Sequence, residues 1–105
     1  MLTLPIKKKW FDMILSGEKK EEYREIKPYY TSRFTRPLPT IIGPTLREKK
    51  LKCSFPVVFR NGYSKDSPSI KCLVKLDINY GIEKWGAEPN KLYYVLKILS
   101  VEEIK

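Results

Sequence analysis

Lys19, Glu22 and Arg24 set two cations and a carboxylate close together in the chain. They sit in the run Gly17-Glu18-Lys19-Lys20-Glu21-Glu22-Tyr23-Arg24, which has no apolar face. In an extended segment alternate residues share a side, so Glu22 and Arg24 point one way and Glu21, Tyr23 and Glu25 the other. If the segment lines a cleft, the Glu22 carboxylate can hold Arg24 or Lys19 by a charge-assisted bond and present an organised cation. An arginine so held suits bidentate contact with a phosphate or a base edge. A desolvated Lys19 could instead serve as a base or nucleophile beside Glu22. The plain alternative is an edge strand whose solvated charges guard against aggregation.

The flanking sequence shows what holds these groups in place. Trp10, Phe11, Ile14 and Leu15 recur at helical spacing and put an apolar face on a helix over residues 7–16. Gly17 supplies the left-handed residue that ends it. Residues 19–26 then read as a short charged strand. Ionisable groups stand where a small domain would place Val or Ile, a departure expected at a functional site.

The pattern Gly-x-Lys-x-x-Glu-x-Arg behind a Trp/Phe/Ile/Leu helix, here Gly17, Lys19, Glu22 and Arg24, resembles the ASCH domains of the PUA-like superfamily. Two more stretches resemble the small bacterial and phage-type members. They are Phe59-Arg60-Asn61-Gly62-Tyr63-Ser64 and Trp85-Gly86-Ala87-Glu88-Pro89 leading into Leu92-Tyr93-Tyr94-Val95-Leu96-Lys97-Ile98. The resemblance implies a PUA-like β-barrel with one or two helices outside it, and an RNA or nucleotide ligand. Some short bacterial members are amidohydrolases that remove the acetyl group from acetylated cytidine. They use a Lys two residues after the motif Gly, a Thr three residues further, and a distant Glu. The Lys carries over to Lys19. The Thr position is Glu22, so that hydroxyl is missing, and neither Glu83 nor Glu88 aligns with the distant Glu. Ribonuclease activity also occurs in the family, and Lys19 and Glu22 could take part in general acid/base cleavage.

Composition bounds the chemistry. A chain of 105 residues with 42% hydrophobic residues is expected to be one folded domain, residues 1–105, with a modest core. The absence of histidine removes His-based triads, His zinc ligands and the commonest general base. Cys53 and Cys72 are isolated and are expected to be reduced core thiols. No apolar run approaches a membrane span and no signal peptide is evident, so a cytoplasmic protein is expected. Neither a metal nor a cofactor is expected. A net charge of +9 is compatible with a polyanionic partner such as RNA, and also with a solvated basic surface.

Along the rest of the chain, residues 2–6 read as a strand whose Pro5 suits an edge. Pro28 opens a short helix on which Tyr30, Arg33 and Phe34 share a face. Residues 35–48 form a Pro- and Gly-containing loop flanked by Arg33, Arg36, Arg47, Lys49, Lys50 and Lys52. Residues 53–60 read as a strand broken by Pro56, and Asn61-Gly62 as a turn. Residues 70–80 alternate, with Ile70, Cys72, Val74, Leu76 and Ile78 on one side. After a turn-rich connection, residues 93–101 form the last strand. This order predicts an α+β fold with a mostly antiparallel sheet curled into a small barrel.

Tyr29, Tyr30 and Tyr63 are the candidates for exposed aromatics that stack on unpaired bases, whereas Trp10 and Tyr94 are expected in the core. Arg33, Arg36, Arg60 and Lys65 are the candidate cations at the rim of the site. Trp85 and Pro89 are expected to shape the closing loop. Three function classes follow: an RNA- or nucleotide-binding module using Lys19 and Arg24, a small hydrolase using Lys19 and Glu22, and a module that binds an acidic protein.

Overall fold

The computed structural model describes residues 2–35 and 54–104. The loop 36–48, and with it Arg36, Arg47, Lys49, Lys50, Lys52 and Cys53, lies outside them. The elements are β1 (Leu2–Pro5), α1 (Lys8–Ser16), β2 (Glu21–Arg24), α2 (Pro28–Thr35), β3 (Ser54–Arg60), β4 (Ser69–Tyr80), a 3-10 turn (Glu83–Trp85) and β5 (Leu92–Glu103). The strands form one five-stranded sheet in the order β1-β3-β4-β5-β2. Among the described residues only the β1–β3 pair is parallel, and the result is α+β, a mostly antiparallel half-barrel with two helices.

The core fills the concave side. Leu4, Phe11, Ile14, Phe34, Phe55, Val57, Phe59, Ile70, Cys72, Val74, Leu76, Tyr94 and Leu96 form one buried cluster. The β4 alternation is visible in its burial up to Leu76, but Ile78 is 49% exposed because the strand runs on past the core. In α1 the buried residues are Phe11 and Ile14. Trp10 and Leu15 lie about 70° to either side of that line at 100° per residue. Trp10 is half-buried and Leu15, at the helix end, is 39% exposed, which corrects its expected place on the buried face. Gly17 ends the helix at φ 88°, its N–H donating to the Ile14 carbonyl.

Two expectations about the later strands need correction. β3 runs unbroken through Pro56, which pairs with Leu73 on β4. The β1 ladder begins only at Val57, so Pro56 lies beyond the partner that would need its missing N–H. Asn61-Gly62 does not close a tight hairpin; the connection extends to Pro68, whose carbonyl accepts the Asn61 N–H at 2.9 Å. Cys72 is buried and free, and burial pushes its thiol up to about 11.

Candidate functional site

The connection β1–α1–β2 starts on one edge of the sheet and ends on the other. The half-barrel is therefore open between β1 and β2, and the charged strand lies at that seam. On β2 the alternation places Glu22 and Arg24 opposite Leu96 and Tyr94 of the core. Tyr23 instead packs on the other face with Ala87, Tyr93 and Val95. The seam thus receives ionisable groups on its inner side, which must be satisfied in place.

They are satisfied mainly by one another. Glu22 is 6% exposed and Lys19 only 1%. The Lys19 Nζ lies 3.3 Å from Glu22 Oε1 and donates to the Trp85 carbonyl at 2.7 Å. It also stands 5.0 Å from the Trp10 ring centre and 4.8 Å from that of Tyr23, a cation among aromatic faces. Burial holds this ammonium below its ordinary value, against the opposing pull of Glu22. Arg24 Nη2 donates to Glu22 Oε2 at 2.8 Å and to the Pro5 carbonyl at 2.8 Å. Its Nη1 reaches the Tyr30 hydroxyl at 3.5 Å, and its Nε has no partner among the described residues.

Above these groups is a cleft of about 420 Å³ lined by Pro5, Ile6, Lys7, Trp10, Glu22, Tyr23, Arg24, Glu25, Tyr30, Gly62, Tyr63 and Tyr93. Its aromatic wall is held rigidly. The Tyr23 hydroxyl donates to Glu21 at 2.7 Å and accepts the Ile82 N–H at 2.9 Å. Burial, the largest influence, keeps that hydroxyl protonated well above the ordinary tyrosine range. Tyr30 stacks on Phe34, whose ring meets Tyr94 edge-on. The Asn61 side chain donates to the Ile6 carbonyl at 3.1 Å and so brings Gly62 and Tyr63 to the rim. Glu25 is drawn below the usual carboxylate range by bonds to Lys91 and Lys27.

Among the expected site residues, the fold brings Glu22, Arg24, Tyr30 and Tyr63 together around the cleft. Lys19 is not among the residues that line it; its ammonium is buried beside Glu22 and the Trp85 carbonyl. Tyr30 is half-buried rather than exposed. Tyr29 and Arg33 lie outside the cleft, the Arg33 guanidinium 3.4 Å from the Tyr29 ring centre. Arg60 and Lys65 line a separate depression. Trp85 is buried, and neither it nor Pro89 lines the cleft. Sequence reasoning missed Lys7, Trp10, Tyr23 and Tyr93 as wall residues. The period-2 pattern around Tyr23 and the flank position of Trp10 were the available signals.

Comparison with protein-family models, with curated proteins and with solved structures finds no match to this chain. Among the described residues no three Cys, Asp or Glu side chains converge as a metal site would require, and no helix is long and apolar enough to cross a membrane.

Proposed function

We propose that the chain is an ASCH-type, PUA-like domain of the cytoplasm that binds a nucleotide, free or as an unpaired residue of RNA, in the seam cleft. The observation that carries this reading is the Glu22–Arg24 pair set among the rings of Trp10, Tyr23, Tyr30 and Tyr93. A planar base can stack on such walls while its edge meets an acceptor and a donor held side by side. The volume is within the range of small-ligand sites. Lys7, exposed at the mouth and without an ion-pair partner among the described residues, supplies a cation for the phosphate. The resemblance of the Gly17–Arg24 motif to the ASCH group and the net charge of +9 support the same ligand class.

Lys19 and Glu22 take a supporting part in this reading, with Glu22 orienting Arg24 and Lys19 neutralising Glu22 from behind. A hydrolase would need the Lys19 amine at the cleft surface, where it is not found. The test is a titration with a 5′-mononucleotide followed by tryptophan fluorescence, for the native chain and for Lys7→Ala. Saturable quenching that weakens in Lys7→Ala supports nucleotide binding. An unchanged signal at millimolar nucleotide overturns it, and acetate release from acetylated cytidine would favour the hydrolase instead.

A further inference from the structure

The connection 61–68 between β3 and β4 has a depression on each side. Gly62 and Tyr63 rim the seam cleft, whereas Lys65, Asp66, Ser67 and Ser69 join Arg60 around a second depression of about 320 Å³. The two abut. Pro5 and Arg60 are ladder partners and share a face of the sheet, with strands about 4.8 Å apart. Pro5 belongs to the cleft and Arg60 to the second depression.

Tyr63 is 92% exposed, a large ring offered to solvent. Its loop is braced by Asn61 N–H to Pro68 at 2.9 Å, Asn61 to Ile6 at 3.1 Å and Ser64 N–H to Ser67 Oγ at 3.2 Å. Arg60 Nε donates to Ser69 Oγ at 3.3 Å, which orients the guanidinium. Neither Arg60 nor Lys65 forms an ion pair among the described residues. Among the described residues, Asp66 is the only acidic one lining the depression, against two cations.

We infer that single-stranded RNA with one base in the cleft continues across this loop, stacking its next base on Tyr63 and placing a following phosphate between Arg60 and Lys65. The inference rests on the nucleotide reading of the cleft. Stacking on an exposed ring tolerates any base, so this second site lengthens the footprint without reading sequence.

The test compares a 5′-mononucleotide with an RNA tetranucleotide, for the native chain, Lys65→Ala, Arg60→Ala/Lys65→Ala and Tyr63→Ala. The tetranucleotide is expected to bind on the order of tenfold tighter, a gain that Tyr63→Ala and the double variant lose. The double variant keeps its mononucleotide affinity. Its salt slope for the tetranucleotide falls by about 0.7, for the one phosphate held between Arg60 and Lys65, and that of Lys65→Ala by less, at roughly 0.7 per phosphate neutralised on a single strand. Equal affinity for both ligands, or a gain that survives the double variant, overturns the path while leaving the cleft intact. Binding of the tetranucleotide alone overturns the cleft, and with it this route. Binding of neither overturns both.

Discussion

Arg24 Nη2, on one edge strand of the half-barrel, donates to the Pro5 carbonyl on the other edge strand at 2.8 Å. One side chain thus spans the seam that the backbone ladder leaves open, and the same nitrogen holds Glu22 at 2.8 Å. Closure of the fold and construction of the cleft floor therefore depend on one guanidinium.

Arg24→Lys tests that dependence. A lysine presents a point charge and not a planar fork, so it cannot meet the Pro5 carbonyl, Glu22 and the Tyr30 hydroxyl together. The expected loss is about 2–3 kcal/mol from the abandoned buried partners. A urea midpoint equal to that of the native chain would contradict it.

Glu22→Gln and Lys19→Met should differ in a fixed order. Removing the carboxylate leaves two buried cations unopposed, at a cost of about 3–5 kcal/mol. Lys19→Met keeps the aliphatic stem between Trp10 and Tyr23 and leaves Glu22 paired with Arg24, losing the ammonium's contacts to Glu22 and the Trp85 carbonyl, about 1–3 kcal/mol. The reverse order in denaturant melts would show that Glu22 is not the central counter-charge. The pH profile adds a sign. Because the folded Lys19 loses its proton below the ordinary value of 10.5, the unfolded chain binds more protons between the two values. The stability of the native chain relative to Lys19→Met should therefore rise with pH through that window; a flat difference would contradict the assignment.

Much of this was legible in the sequence, and the misses have physical causes. The α1 helix and the later strands follow from periodicity, because each buries one face against the same core, whereas the charged strand follows only from its place after Gly17. Lys19 did not follow. Nothing in its spacing says that Trp85, distant along the chain, returns a carbonyl to its ammonium. Pro56 misled because its cost depends on whether a neighbouring strand reaches that far, which is a property of the sheet. Arg60 and Lys65 separated from the cleft because the connection after Asn61 is a broad loop and not the tight turn that Asn-Gly suggests.

Cys72 gives a second pH signature, opposite in sign. Its folded thiol is held up to about 11 against an ordinary 9.0, so the folded chain keeps the proton while the unfolded chain loses it. Stability should fall between pH 9 and 11, by at most about 2–3 kcal/mol at 1.36 kcal/mol per unit. Cys72→Val should lack that fall. Alkylation at pH 8, read by peptide mass, should leave Cys72 unmodified until denaturant is added. Rapid labelling of the native thiol would contradict its burial.

Gly81 is required by the aromatic wall. A Cβ there would stand 2.5 Å from the Ala87 Cβ and 2.9 Å from the Tyr23 ring. Gly81→Ala should cost about 1–3 kcal/mol by overpacking and displace the Tyr23 hydroxyl from the Ile82 N–H. An unchanged near-ultraviolet circular dichroism spectrum and melting curve would show that the wall can yield.

Occupation of the seam cleft by a nucleotide can be read residue by residue in a two-dimensional amide NMR titration with a 5′-mononucleotide. The predicted result is saturable shifts at Lys7 and Trp10, from Glu22 to Glu25, and at Gly62 and Tyr63, with β4 unmoved up to Leu76. Shifts confined to other surfaces, or none at millimolar nucleotide, would contradict it.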